Sequence, residues 1–302
     1  MTVREVYEIG KCELQTAGIQ EFELDAFYLL EYVTGITRTK FYADHEKILE
    51  DEQVKRYYEL LAKRAKRIPL QHLTGEQEFM GLSFLVNEDV LIPRQDTETL
   101  VEACLRILQN QAKREGIAQN KFSFLDMCTG SGCVLLSILK YGCDNLFRLE
   151  GTGVDISKEA IAVAKKNVER IFPEVVGGDS NDEVRITLLQ SDLFDTVEGK
   201  FDMIVSNPPY IDMLEFSQLA EEVRCHEPRL ALVGGDDGLW FYRRIIQESI
   251  DYLLPGGHLL LEIGATQGSK VSDLMKYHGY KNVEITKDLT GLDRVVQGKY
   301  NR

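Results

Sequence analysis

Asn207-Pro208-Pro209-Tyr210 is the segment whose residue types most directly imply chemistry. It follows Phe201-Asp202-Met203-Ile204-Val205-Ser206, an apolar run that reads as a strand. Proline fixes φ and has no N–H, so two in succession stop the strand in a short, stiff turn. The turn offers the Asn207 side-chain oxygen and the Pro208 backbone oxygen as acceptors, beside the Tyr210 ring. Two acceptors and an aromatic face suit a planar, conjugated NH2, which has two N–H bonds to give and a face to stack. A plain strand-end turn is the alternative, and the tetrapeptide alone does not say which NH2 it serves.

A second constellation lies upstream. Asp126-Met127-Cys128-Thr129-Gly130-Ser131-Gly132 ends one strand candidate and opens a helix, and its glycines permit a tight turn and close backbone approach to a ligand. Asp155 and Ile156 end the next strand, and a carboxylate there can accept both hydroxyls of a ribose. The spacing favours a nucleoside over a structural glycine turn and a helix-capping Asp. A dinucleotide fingerprint would need a third glycine where Leu135 stands, and a phosphate loop would need Lys where Cys133-Val134 follow Gly132. S-adenosylmethionine fits what remains, its amino-acid end over the Gly loop and its ribose on Asp155. Ser191-Asp192-Leu193-Phe194 adds an acceptor for the adenine amine and two apolar side chains to cover the ring; an ordinary loop is the alternative.

These segments need a scaffold that brings strand ends together. Apolar strand candidates are Phe122–Met127, Leu149–Val154, Ile186–Gln190, Asp202–Ser206 and Gly257–Ile263. Helical Val134–Leu139 separates the first two, and Ser157–Ile171, with Ser157 as N-cap, separates the next pair. Short apolar strands alternating with helices predict a parallel sheet covered on both faces. Val283-Glu284-Ile285 and Arg294-Val295-Val296 have no helix between them and predict a closing antiparallel pair at the sheet edge. Residues 1–75 read as helical: Leu24, Phe27, Tyr28 and Leu30, then Val54, Tyr57, Tyr58 and Leu61, fall at helical spacing. Gly18 and Gly35 look like helix stops, and Asp51 a start. Phe84-Leu85-Val86, Asn87-Glu88-Asp89 and Val90-Leu91-Ile92 suggest a hairpin closed by Pro93, so 76–93 is the expected linker to a domain over 94–302.

The bulk numbers narrow the partners. The chain has 302 residues, 44% hydrophobic and 28% charged, enough for two modest domains. No apolar run approaches a membrane span and the N-terminus carries no signal pattern, so a cytoplasmic protein is expected. A net charge of −14 disfavours bulk nucleic-acid binding, which relies on Lys and Arg. The basic run Lys63-Arg64-Ala65-Lys66-Arg67 reads as a solvated helix C-terminus rather than a docking patch. Cys12, Cys104, Cys128, Cys133, Cys143 and Cys225 are scattered, without metal-ligand spacing. No metal site is expected, and reduced packing thiols are, with Cys128 as the one open case.

In its order of motifs, from Gly loop to Asp155, Ser191–Phe194 and Asn207–Tyr210, the chain resembles S-adenosylmethionine-dependent amino-methyltransferases of the seven-stranded class. More narrowly it resembles the release-factor glutamine methyltransferases, the HemK/PrmC family. Matching segments are Phe79-Met80-Gly81-Leu82, Val90-Leu91-Ile92-Pro93-Arg94 with Thr97-Glu98, Glu227–Leu232, Gly234–Leu239 and Leu261-Glu262-Ile263-Gly264. The resemblance implies an α/β, Rossmann-like class I methyltransferase domain, a small N-terminal helical domain and a linking β-hairpin. It implies methyl transfer from S-adenosylmethionine, leaving S-adenosylhomocysteine, to the side-chain amide of the Gln in the Gly-Gly-Gln loop of peptide chain release factors. Asn207 and Pro208 would hold that amide, Tyr210 and Pro209 would wall it, and Arg94, Thr97 and Glu98 would shape its entrance, with a surface ion pair as the alternative for Arg94. Glu262 is expected in a structural hydrogen bond at its strand end. The N-terminal helices would dock the release factor, and a monomer is expected. Two departures stand out: Gln95-Asp96 replaces the family's Pro-Glu, and Cys128 replaces a glycine. The rival readings are an N6-adenine methyltransferase on DNA or RNA, which would need base flipping and a basic groove, and a non-catalytic cofactor-binding module.

Overall fold

In the computed structural model, which describes residues 1–115, 121–142, 148–176 and 184–301, two units are distinguished. One is Met1–Glu76 with Ala220–His226; the other is Gln77–Leu219 with Glu227–Arg302. Cys143, expected to be a packing thiol, lies outside the described residues.

The first unit is built from α1 (Val3–Thr16), α2 (Phe22–Thr34), α3 (Arg38–Ala43), α4 (Asp51–Arg64) and α5 (Leu70–Thr74). Thr2 and Glu5 form a capping box that starts α1, and Gly35 at φ 66° ends α2. α4 begins at Asp51, as expected, behind Glu50 as its cap. Val3, Val6, Gly10 and Leu14 give α1 one buried face at helical spacing. Gly10 is required because a Cβ there would lie 2.8 Å from Cζ of buried Tyr57. The Tyr57 hydroxyl, otherwise stranded in this core, donates to the Ala26 carbonyl at 3.0 Å.

The basic run at 63–67 corrects the expectation of a solvated helix end. Arg64 shares the buried face of α4 with Tyr57, Leu60 and Leu61. Its Nε lies 2.7 Å from Asp25 Oδ2 and its Nη2 2.7 Å from Glu222 Oε2 of the helix Glu221–His226. Arg67 donates to the Ala17 carbonyl at 3.1 Å, and Lys63 and Lys66 are the exposed members.

The second unit holds a hairpin, β1 (Glu76–Phe79) and β2 (Leu82–Leu85), and a seven-stranded sheet. The sheet strands are β3 (Lys121–Met127), β4 (Arg148–Asp155), β5 (Val184–Gln190), β6 (Phe201–Ser206), β7 (Leu253–Glu262), β8 (Lys281–Lys287) and β9 (Asp293–Lys299). They lie in the order β5-β4-β3-β6-β7-β9-β8. The first five run parallel, and β9 is antiparallel to both β7 and β8, so the closing pair inserts its last strand inside its first. Side chains alternate across β3. Phe122 and Phe124 enter a core with α6 (Glu98–Glu115) and α7 (Cys133–Gly142), while Leu125 and Met127 enter the one behind the helices Trp240–Glu248 and Gly268–Tyr277. α8 (Lys158–Ile171) follows β4, with Ser157 capping it as expected.

The register sets the site. Met127 pairs with Val154 on one side and Ser206 on the other, and Asp155 pairs with Gln190. The Gly loop, Asp155 and the Asn207 turn therefore leave the sheet along one edge. β3 connects towards β4 on one side while β6 lies on the other, which is the switch point where open α/β sheets bind ligands.

The hairpin forms one step earlier than its apolar pattern suggests. Met80 and Gly81, at φ 52° and 71°, make a two-residue turn with both residues left-handed. Glu98, expected at the substrate entrance, instead takes the Met80 N–H at 2.7 Å and pins that turn. Asn87 and Asp89 close a local side-chain turn, and Val86 and Val90 pack on Ala160 and Val163 of α8 rather than on a partner strand.

Candidate active site

A cavity of about 380 Å³ opens where β3, β4 and β6 end, within the range of small-ligand sites. Its floor is the Gly loop. The Thr129 N–H donates to the Val154 carbonyl at 2.9 Å, and the Gly130 N–H to Asp155 Oδ2 at 2.9 Å. The other Asp155 oxygen takes the Ser157 N–H at 3.0 Å, so one carboxylate pins both the loop and the start of α8. Burial holds Asp155 above the usual carboxylate range in spite of these bonds. Asp126 takes the Thr129 hydroxyl at 2.6 Å and the Leu135 N–H at 3.2 Å, and burial pushes it up to about 7. Behind the loop, buried Asn167 donates to the Ser131 carbonyl at 2.9 Å and exchanges bonds with the Leu85 backbone at 2.7 and 3.0 Å, tying β2 to the floor.

The loop accommodates the Cys128 side chain by holding it at φ 61°, a conformation costly for any residue with a Cβ. Burial pushes its thiol far up, and its side chain packs against the apolar core. Gly130, at φ 54°, has nothing within 4 Å of where a Cβ would project, so the loop stands open above it.

The Asn207 turn is built equally firmly. The Ser206 hydroxyl donates to the Met127 carbonyl at 2.7 Å and buttons β6 to β3. Asn207 Nδ2 donates to Thr97 Oγ1 at 3.2 Å, which turns the amide oxygen the other way. Gly234 lies against the turn's backbone, where a Cβ would stand 2.6 Å from the Pro209 carbonyl oxygen. The Ile211 N–H donates to Leu232, and the Gly234 N–H donates back to Ile211 at 2.9 Å. Gln267 donates to the carbonyls of Tyr210 at 3.0 Å and Gly238 at 3.3 Å. The glycine-rich segment after Val233 is thus a clamp on the turn.

Arg94 lines the cavity and pairs with buried Glu227, whose other oxygen takes the Ile92 N–H at 3.2 Å, so both the ion pair and a place on the cavity wall describe it. Thr97 is buried against Asn207. Asp96, one of the departures, places its carboxylate 3.0 Å from Arg294 of β9, which also pairs with Asp288 at 3.0 Å. Glu262 is buried with Thr97 and Asn207 as its hydrogen-bonding neighbours, and burial lifts it to about 7.

Of the residues expected at the site, Arg94, Thr97, Asp126, Cys128, Thr129, Gly130, Ser131, Asp155, Ile156, Asp192, Leu193, Asn207 and Pro209 line this cavity. Gly132, Phe194, Pro208 and Tyr210 are not among the lining residues. Phe194 was expected to cover the adenine and lies off the cavity wall. It is buried and stacks on Tyr252 at 4.6 Å, an apolar partner already in the core. Gly132 packs against Leu136 and Ala164, Pro208 is buried, and Tyr210 joins the apolar core, where burial raises its hydroxyl pKa. Val90, Leu91, Leu230, Trp240 and Phe241 also line the cavity, the last two from the first turn of the helix Trp240–Glu248, and no local sequence pattern flags them.

The wall is acidic. Glu88, Asp89, Asp126, Asp155, Glu159 and Asp192 contribute carboxyls, and Arg94 is the one basic side chain among the described lining residues. Such a wall favours a cationic ligand and repels phosphate.

Residues 5–75 match the family model of the PrmC N-terminal domain, and residues 105–229 that of the methyltransferase small domain. The chain is 38% identical over 299 residues to the release factor glutamine methyltransferase of Geobacter sulfurreducens, covering 99% of this chain and 96% of that one. It is 39% identical to the enzyme of the same name from Clostridium acetobutylicum, covering 90% and 89% of the two chains. The Caulobacter vibrioides protein of that name is 38% identical, with 100% and 97% covered.

Proposed function

This chain belongs to the release factor glutamine methyltransferase family, and from that premise we propose that it methylates the side-chain amide nitrogen of the Gly-Gly-Gln glutamine of peptide chain release factors, with S-adenosylmethionine as donor. The observation that carries the reading is the orientation of Asn207: its Nδ2 is spent on Thr97, and its oxygen remains for an N–H donor in the cavity it lines.

The residues present fit that donor. Gly130 leaves open space for its amino-acid end, the acidic wall suits its positive charge, Asp155 offers acceptors for the ribose, and Ile156 and Leu193 supply apolar wall for the base. When bound, S-adenosylmethionine supplies a methyl group on a positively charged sulfur that leaves as a neutral thioether.

The rest is done by the chain itself. An amide nitrogen is a poor nucleophile because its lone pair is delocalised into the carbonyl. Asn207 Oδ1 and the Pro208 carbonyl accept its two N–H bonds, orient it, and stabilise the positive charge that grows on it. The turn needs to be rigid for this, and the Gly234 clamp and the Gln267 bonds make it so. The proton leaves for water, so no base is assigned. Residues 94–302 carry the transfer, 76–93 link, and residues 1–75 dock the protein substrate, since one loop-tip glutamine offers too little area for protein-level recognition. Action on translation factors belongs to the cytoplasm, and the acidic wall counts against a nucleic-acid substrate.

The test is Asn207→Ala, assayed for methyl transfer to purified release factor and for S-adenosylhomocysteine binding by calorimetry. Loss of one oriented polar group at a transition state costs about 10²–10³-fold. Transfer should fall by that much while cofactor affinity stays within about threefold, a change below 1 kcal/mol. A variant that still methylates at the parental rate sinks the mechanism.

A further inference from the structure

Glu262 ends β7, beside the strand that carries the Asn207 turn, with Ser206 paired to Leu261. Glu262 is buried and is not among the residues of the cavity wall. Thr97 and Asn207 are its hydrogen-bonding neighbours, and its Oε2 has no partner among the described residues. Between those two neighbours, Asn207 Nδ2 donates to Thr97 Oγ1.

A hydroxyl has one proton to give, so the direction of that bond carries information. When Thr97 accepts from Asn207, its own proton is left for Glu262. An ionised carboxylate can only accept. It therefore orders the cluster in one sense: Asn207 Nδ2 donates to the Thr97 oxygen and to Glu262, and the Thr97 O–H donates to Glu262. In that sense the Asn207 amide has one orientation, with Oδ1 on the side away from Thr97.

We propose that Glu262 is a positioning residue which, as acceptor for the Asn207 amide N–H and for the Thr97 hydroxyl, holds the Asn207 amide with its oxygen towards the acceptor NH2. The role rests on the amide-methylation reading above and extends it to a residue that touches neither cofactor nor substrate.

The groups facing Glu262 make its protonation matter. Arg294 of β9 favours the ionised form and Asp96 opposes it, while Tyr210, Tyr242 and Cys133 face it as neutral groups. Burial outweighs the favourable contacts and brings the carboxyl to about 7. Protonated, Glu262 becomes a donor to Thr97, which then donates to Asn207. The amide turns over and presents NH2 to NH2, and transfer fails. Activity should fall as pH drops through about 7.

The experiment compares the parent with Glu262→Gln, Thr97→Val and Thr97→Ser. It measures kcat and KM for methylation of release factor from about pH 5.5 to about pH 9, and S-adenosylhomocysteine affinity by calorimetry. Gln can donate to Thr97 as a protonated Glu does. Glu262→Gln should therefore lower kcat about tenfold or more and abolish the limb near 7, with cofactor affinity within about threefold. Thr97→Val removes the hydroxyl link but leaves the direct Asn207–Glu262 contact, so it should lower kcat by less than Glu262→Gln does, and Thr97→Ser should recover most of what Thr97→Val loses. The NMR resonances of the Asn207 side-chain NH2 read the relay without substrate. They should titrate near pH 7 in the parent and not in Glu262→Gln. Parental kcat with an unchanged limb in Glu262→Gln overturns the proposal. So does a pH-invariant Asn207 NH2 in the parent, even if release factor proves not to be the substrate.

Discussion

Replacing Gly234 with alanine adds one methyl group against the backbone that presents the acceptor oxygens. The new Cβ would stand 2.6 Å from the Pro209 carbonyl oxygen and 2.7 Å from the Tyr210 Cα. Ordinary contact for such atoms is about 3.5 Å, so the turn and the glycine segment must separate by roughly 0.9 Å. Both contacts are backbone, with no flexible side chain to give way. Gly234 has no positive φ, so alanine brings no backbone penalty of its own and the effect is steric. A displacement of about 1 Å in a reacting group costs on the order of 10²-fold in rate. Overpacking of this kind also costs about 1–3 kcal/mol of stability. Gly234→Ala should therefore methylate release factor about a hundredfold more slowly, with S-adenosylhomocysteine affinity within about threefold of the parent. Stopped assays at saturating cofactor and calorimetry measure the two quantities. A folded variant with near-parental turnover refutes the claim that the clamp sets the position of the turn.

Asp126 gives a pH-dependent stability. Its folded pKa is raised from 3.8 to about 7, so its contribution is full below 3.8 and is lost as pH rises through about 7. Asp126→Asn removes that loss and should gain about 2 kcal/mol on the parent between about pH 5.5 and about pH 8.5 in chemical denaturation; a constant difference across that interval contradicts the assignment. Arg64→Ala leaves Asp25 buried without its cation and should destabilise the N-terminal unit by about 3 kcal/mol or more, read by denaturation or protease cleavage within residues 1–76. An unchanged unfolding profile would mean that the pair carries no weight.

What could be read from the residues and what could not divides along a physical line. The strands β3 to β7 and their order of motifs were legible because fully buried parallel strands are short, continuous apolar runs bounded by helices. The place of the Gly loop and Asp155 at the strand ends was legible because a tight turn needs glycine and both segments directly follow apolar strands. The hairpin was misplaced by one element. Val90-Leu91-Ile92 has strand composition, whereas the turn that forms, Met80-Gly81, lacks the usual Asn-Gly or Asp-Gly signal. Arg64 was read from its charged neighbours, while its burial depends on Asp25 and Glu222, far away in sequence. Phe194 sits in a site-like motif but stacks on Tyr252, a partner no local pattern names. Asn167, Gln267 and the Glu262–Thr97–Asn207 relay were hidden for the same reason: each acts through residues that only the folded sheet brings together.

The central claim is that the NH2 held by Asn207 is a glutamine amide and not an adenine amine. Incubation of the protein with methyl-labelled S-adenosylmethionine, and with release factor, its Gly-Gly-Gln loop variant carrying Ala for Gln, DNA or RNA, tests it directly. Label should enter the release factor and be absent from the loop variant and from both nucleic acids. Label in nucleic acid with none in release factor would contradict the account.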